Sequence, residues 1–73
     1  QIETLQFQIK EANKMTAKPL SQLKLKKGVL IAAIIRKGKT IFPTGEDILE
    51  VGDQLLVTTL LPNITKIYDL IER

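Results

Sequence analysis

The apolar positions near the start of the chain alternate with polar ones. They are Leu5, Phe7 and Ile9, separated by glutamines and followed by a lysine. A period of two is typical of a strand with one buried face, and it predicts a strand over residues 3–10. A polar stretch then runs as far as Pro19. Because proline suits the first turn of a helix, we expect a short helical turn over residues 19–23.

An uninterrupted apolar run from Val29 to Ile35 forms the centre of the chain. The absence of alternation predicts a strand covered on both faces. A buried helix is the alternative, but the flanking glycines and β-branched residues favour the strand. In so small a chain, one face should meet the core and the other a second copy. The residues predicted at this dimer interface are Val29, Ile31, Ala33 and Ile35.

Turn signals divide the second half of the chain. Lys37-Gly38 suits a tight hairpin into a strand over residues 39–42, which Pro43 ends. Another apolar stretch predicts a strand over residues 54–60. Asn63 is a good helix N-cap, and the apolar residues after it have helical spacing at Ile64, Ile67, Tyr68 and Ile71. The predicted fold is α+β, with a small, mostly antiparallel sheet, a short helical turn and a C-terminal helix.

Composition limits what this domain can do. The 73 residues allow one small domain spanning residues 1–73, and the chain has no Cys and no His. Disulfides are therefore excluded as a stabiliser, and self-association is the expected substitute. The usual nucleophile and base pairs are also missing, so we predict that the domain is not an enzyme. The first residue is Gln1 rather than Met, which suggests a fragment of a longer protein or a processed end. A cytoplasmic location is the default expectation. The longest apolar run is too short for membrane insertion.

Charge is distributed unevenly along the chain. Residues 10–27 contain six lysines and one glutamate, whereas residues 46–53 contain four carboxylates and no base. A solvated basic face and an acidic loop are the favoured interpretation. Calcium binding by the carboxylates is the minority alternative, because their spacing does not match an EF-hand loop, and no metal site is predicted. Only three aromatic residues are present, so a stacking platform for nucleic acid is not expected.

One arginine lies in a setting that suits an anionic ligand. Arg36 follows the central strand, and Ile41, Phe42 and Pro43 return opposite it across the predicted hairpin. A guanidinium beside an apolar wall can hold a phosphate or a carboxylate while a flat ring lies on the wall. A solvated Arg36 at a turn is the simpler interpretation of the residues taken alone.

The order of these signals resembles the TrkA C-terminal (RCK C-subdomain) family. The resemblance lies in Gly28-Val29-Leu30-Ile31-Ala32-Ala33-Ile34-Ile35-Arg36-Lys37-Gly38, then Ile41-Phe42-Pro43-Thr44-Gly45, then Gly52-Asp53. The segment from Pro19 to Leu25 is similar to the short helix that precedes the family's second strand. The first strand and the predicted last helix fit the same layout, so the resemblance covers essentially the whole chain.

This resemblance implies a cytoplasmic regulatory module of potassium uptake proteins. Family members also occur attached to potassium channels, cation/proton antiporters and other transporters, so a membrane transporter or channel subunit is an implied partner. They form homodimers whose cleft binds a small effector, and in some bacterial members the effector is cyclic di-AMP. The resemblance gives Arg36, Ile41, Phe42 and Pro43 as the ligand-binding residues. A structural dimerisation module of a transporter that binds no ligand is the alternative.

Overall fold

Four strands form one antiparallel sheet in the computed structural model, which describes residues 1–72. They are β1 (Glu3–Gln8), β2 (Val29–Arg36), β3 (Lys39–Ile41) and β4 (Gln54–Thr59). The order across the sheet is β1-β4-β2-β3, so β4 and β2 are central. All four predicted strands are confirmed, although β1, β3 and β4 each end earlier than expected and β2 extends one residue further, to Arg36.

A β-bulge in β2 explains its uninterrupted apolar run. Ile31 pairs with Val57 and Ala33 with Leu56, which leaves Ala32 without an opposite residue. The extra residue shifts the alternation of side chains by one position. Ile31 and Ile34 therefore both belong to the buried core although they are three residues apart.

The β2–β3 hairpin has the predicted tight turn. Lys37 and Gly38 both have positive φ, at 51° and 77°, as a two-residue type I′ turn requires. Glycine adopts this conformation without strain, which accounts for Gly38 at the second position. The turn places Arg36 opposite Lys39 and brings the β3–β4 connection, residues 42–53, back beside the end of β2.

Within residues 1–72, helical structure is limited to three short 3₁₀ turns. They are η1 (Lys14–Thr16), η2 (Leu20–Gln22) and η3 (Ile67–Leu70). The turn predicted over residues 19–23 corresponds to η2. No helix within residues 1–72 is long and apolar enough to cross a membrane.

The prediction of a C-terminal helix is wrong. Asn63 has a φ of 65°, which is incompatible with the extended backbone of an N-cap residue. Downstream, the side chain of Asp69 accepts hydrogen bonds from the backbone N–H groups of Thr65 and Lys66 at 2.9 and 3.0 Å. The chain then returns to extended backbone, and Ile71 forms a β-bridge with Leu25. The helical spacing of the isoleucines instead reflects how an irregular segment packs on the sheet.

The core combines one face of the sheet with residues from the connections. The sheet contributes Ile31, Ile34, Leu55 and Val57, and the connections contribute Ile9, Met15, Leu49 and Leu70. All eight are buried. The C-terminal segment thus completes the core by contributing Leu70, without forming a regular helix.

Candidate functional site

Arg36 forms a bidentate ion pair with Asp53 where β2 meets the start of β4. Its Nε donates to Asp53 Oδ1 and its Nη2 to Asp53 Oδ2, both at 2.9 Å. Ile35 is paired with Gln54 across the two strands, so the sheet register brings Arg36 and Asp53 together. The side chain of Asp53 is completely buried, whereas that of Arg36 is partly exposed. This arrangement is called the Arg36–Asp53 clamp below.

The clamp also holds the β3–β4 connection. Arg36 Nη2 donates to the backbone oxygen of Ile48 at 3.0 Å, and Nη1 lies 3.1 Å from Glu50 Oε2. The N–H of Glu50 donates in turn to Asp53 Oδ2 at 2.8 Å. One guanidinium and one carboxylate therefore hold residues 48–53 of this connection, which have no regular secondary structure of their own.

Arg36 and Asp53 each stabilise the charged form of the other. Burial acts to raise the pKa of Asp53, but the hydrogen bonds from Arg36 and from the Glu50 N–H outweigh it and hold that pKa below its ordinary value. The hydrogen bond to Asp53 raises the pKa of Arg36. Both groups are therefore charged at neutral pH, which is the condition under which a buried carboxylate is tolerated.

The clamp limits how Arg36 can meet a ligand. A guanidinium has five N–H groups, and Asp53 and Ile48 accept hydrogen bonds from three of them. The other two are on Nη1, which forms an ion pair with Glu50, whose side chain is 56% exposed. Glu50 is therefore the partner that an incoming anion could displace. The ligand contact of Arg36 stays a prediction.

The three residues predicted to form an apolar wall lie in different environments. Ile41 packs against the core. Phe42 is 77% exposed. Pro43 lines a shallow hollow of about 200 Å³ together with Ser21, Leu25 and Leu30. Within this group, Pro43 and Phe42 are accessible from solvent, whereas Ile41 is mainly a core residue.

Close packing between η2 and the β3–β4 connection shapes this hollow. The N–H of Ser21 donates to the Gly45 oxygen, and the N–H of Leu20 to the Asp47 oxygen, both at 2.9 Å. A Cβ atom at Gly45 would lie 3.0 Å from the Cβ of Ser21. Glycine at this position thus lets the two segments approach closely beside Pro43.

The predicted interface residues of β2 lie on two faces of the sheet. Ile31 and Val29 are paired with the buried residues Val57 and Thr59, and both pack in or against the core. Ala33 and Ile35 are paired with Leu56 and Gln54, which lie on the opposite face because side chains alternate along β4. Leu30 joins that opposite face and is 61% exposed. The interface itself stays a prediction.

The acidic residues of the β3–β4 connection have structural partners. Asp53 and Glu50 contact Arg36, and Asp47 accepts a hydrogen bond from the Thr44 N–H at 2.6 Å. Across residues 1–72, no three carboxylates are grouped so that they could hold a metal ion. Sequence reasoning noted Asp53 within Gly52-Asp53 but missed its role as the partner of Arg36. The available signal was an acidic residue immediately before a strand that pairs with the strand ending at Arg36.

Comparison with known proteins identifies the family. The family model of the TrkA-C domain matches residues 5–72. The chain belongs to the TrkA-C domain family. Two proteins of Methanosarcina mazei are similar to this TrkA-C domain, the Trk system potassium uptake proteins TrkA homolog 1 and TrkA homolog 2, at 31% and 29% identity over 58 residues. The aligned region is 80% of this chain and 13% of each relative, so the TrkA-C domain spans about an eighth of their length.

Proposed function

We propose that this TrkA-C domain is the cytoplasmic regulatory domain of a potassium uptake protein, in which it dimerises and binds a small effector that gates cation transport. The observation that carries the proposal is the family match over residues 5–72, together with similarity to two Trk system potassium uptake proteins. The domain works by binding rather than by catalysis, in keeping with its lack of His and Cys.

The proposed dimer interface is the face of the sheet turned away from the core. On this face Leu30 is exposed and Ile35 and Leu56 are partly exposed, whereas Ala33 is buried. The isolated chain has an accessible surface of 5209 Å², whereas a folded monomer of its mass exposes about 4,500 Å². A surplus of accessible surface on a chain with exposed apolar side chains favours association with a second copy.

The proposed effector site is the hollow beside Pro43, with the exposed ring of Phe42 next to it in the chain. About 200 Å³ is too small for a drug-sized ligand. A second copy across the interface would enlarge the hollow and supply the other half of the site. A symmetric cleft suits a symmetric ligand, and cyclic di-AMP, with two phosphates and two flat rings, is the effector that we propose.

Arg36 then acts as a conditional anion contact. A phosphate reaching Nη1 would displace the exposed carboxylate of Glu50 and leave the buried bond to Asp53 intact. Binding would thereby release one contact of the β3–β4 connection and couple effector occupancy to the shape of that connection. Such a ligand shifts a gate only by its differential affinity for the two arrangements, typically about 1–3 kcal/mol.

The test is a calorimetric titration of the 73-residue chain with cyclic di-AMP, with molar mass measured by light scattering in parallel. We expect a dimer and saturation at one ligand per two chains. Glu50→Gln should tighten binding because it frees Nη1, and Glu46→Gln is the matched control that removes a nearby exposed carboxylate. Saturation at one ligand per chain, or a monomer under all conditions, would contradict the proposal.

A structural dimerisation module without a ligand is the second candidate. The contacts of Arg36 with Asp53, Ile48 and Glu50 favour it, since such a clamp stabilises the fold with no ligand present. A stable dimer that gives neither heat nor a shift in melting temperature with cyclic di-AMP would exclude that effector and favour the structural module.

A further inference from the structure

A basic groove crosses the surface around η1 and η3. Three adjoining hollows form it. The central one shares Asn13 and Tyr68 with one neighbour, and Lys14, Ile71 and Glu72 with the other. The central hollow has a volume of about 850 Å³, within the range of small-molecule sites in proteins. Its walls include Lys14, Lys26, Lys66 and Tyr68.

The groove accounts for the net charge of the whole chain. The ionisable residues that line its three hollows are Lys10, Lys14, Lys18, Lys24, Lys26, Lys66, Glu11, Asp69 and Glu72. Six lysines against three carboxylates give the formal charge of +3, because the remaining five basic and five acidic residues of the sequence cancel. Such a concentration of positive charge in a concave surface attracts anions.

The carboxylate of Asp69 is ionised and offsets part of the positive charge of the central hollow, since it interacts with Lys66. It accepts hydrogen bonds from the backbone N–H groups of Thr65 and Lys66, and these bonds lower the pKa of Asp69. It is thus engaged with the backbone that leads into η3. Glu72 is the other acidic residue of the central hollow.

Backbone hydrogen bonds hold the walls of the central hollow together. The Lys26 N–H donates to the Leu70 oxygen at 2.8 Å, and the Glu72 N–H donates to the Lys24 oxygen at 2.7 Å. On the opposite wall, the Asn13 side chain accepts a hydrogen bond from the Met15 N–H and fixes η1, which begins at Lys14. Lys26 therefore projects from a segment whose backbone is fixed to the C-terminal segment, and Lys14 projects from a turn that Asn13 holds.

Tyr68 gives the central hollow an aromatic surface. Its side chain is 47% exposed although its neighbours Ile67 and Leu70 pack into or against the core. A half-exposed ring between ammonium groups offers stacking to a flat ligand while the lysines bind its phosphates. We propose that the central hollow binds a ligand carrying both a flat ring and several phosphates, of the nucleoside triphosphate class, independently of the effector site at the hairpin.

The test uses ATP and the ring protons of the 73-residue chain in NMR. Tyr68 is the only tyrosine, there is no tryptophan, and the two phenylalanines are Phe7 and Phe42. We expect ATP to shift the Tyr68 signals in a saturable way and to leave those of Phe42 unchanged. Shifts at Phe42 alone would indicate the hairpin site and overturn this proposal without affecting the proposed function. Absence of any saturable shift would also overturn it.

Variants separate the phosphate contacts from the ring contact. Lys26→Gln and Lys66→Gln should each weaken ATP binding about fivefold, the effect of about 1 kcal/mol from one exposed charge pair. Lys39→Gln, on β3, is the matched control and should change nothing. Tyr68→Leu should weaken ATP binding and leave the binding of inorganic triphosphate unchanged. Equal losses in all three lysine variants, or no loss in Tyr68→Leu, would overturn the proposal.

Discussion

At the residue scale, the buried carboxylate of Asp53 depends on a complete set of partners. It accepts two hydrogen bonds from Arg36 and one from the backbone of Glu50. A buried ionised group without such partners would destabilise the fold by several kcal/mol. The same three bonds join the end of β2 to the last residues of the β3–β4 connection. The Asp53 side chain thus holds that part of the connection against the sheet.

Asp53→Asn should lower the free energy of unfolding by about 3 kcal/mol, because it leaves a partly buried guanidinium without its counter-charge. Urea denaturation of the variant and the wild-type chain measures this difference. Glu50→Gln is the matched control. Its carboxylate is exposed, so the loss should be below about 1 kcal/mol. Similar losses in the two variants would contradict the central role given to Asp53.

The same pair predicts how stability depends on pH. The pKa of Asp53 is lower in the folded chain than its unfolded value of about 3.9. Its contribution to stability is therefore complete above about pH 5 and is lost as the pH falls through the folded-state pKa. Acid titration of stability should show this loss in the wild-type chain and a smaller one in Asp53→Asn. Equal acid sensitivity would assign the loss to other carboxylates.

At the element scale, the strands were predictable because each carries its own local signal. Alternation marks β1, the Lys37-Gly38 pair fixes the hairpin, and the apolar run marks β2. The bulge at Ala32 was not predictable, since it depends on the register with β4 and divides the predicted interface residues between two faces. The prediction of a C-terminal helix was wrong because apolar residues at helical spacing also occur where an irregular segment packs along the core. The sequence drew attention to Arg36, but its pairing with Asp53 could not be predicted without the sheet register.

The close contact between η2 and the β3–β4 connection indicates that a side chain at Gly45 would destabilise the fold. Gly45→Ala should lower the free energy of unfolding by about 1 kcal/mol, because the new Cβ would lie 3.0 Å from the Ser21 Cβ and would push the segments apart. In a Ser21→Gly background the same substitution should have a smaller effect, since the opposing Cβ is gone. Urea denaturation of the four chains gives the coupling between the sites. Additive effects would mean that this contact is not the cause.

At the scale of the whole molecule, the two ends of the chain meet through the core. Ile9, which follows β1, and Leu70, at the end of η3, belong to the same buried cluster as the central strands. The C-terminal segment is also tied to residues 24–26 by two backbone hydrogen bonds and the bridge between Leu25 and Ile71. A domain of this size has a total stability on the order of 4–10 kcal/mol. Each contact of the C-terminal segment therefore contributes a large fraction of the total stability.

Leu70→Ala tests whether the C-terminal segment is an integral part of the fold. Leu70 is completely buried, so its truncation should lower the free energy of unfolding by about 3 kcal/mol through lost burial and a residual cavity. Leu60→Ala, at an exposed leucine, is the matched control and should change stability by about 0.5 kcal/mol or less. Both are measured by urea denaturation at a protein concentration where the midpoint no longer depends on concentration, so that association does not contribute. A loss at Leu70 no larger than that at Leu60 would mean that residues 67–72 dock without completing the core, and the basic groove that they help to line would then lack its fixed wall.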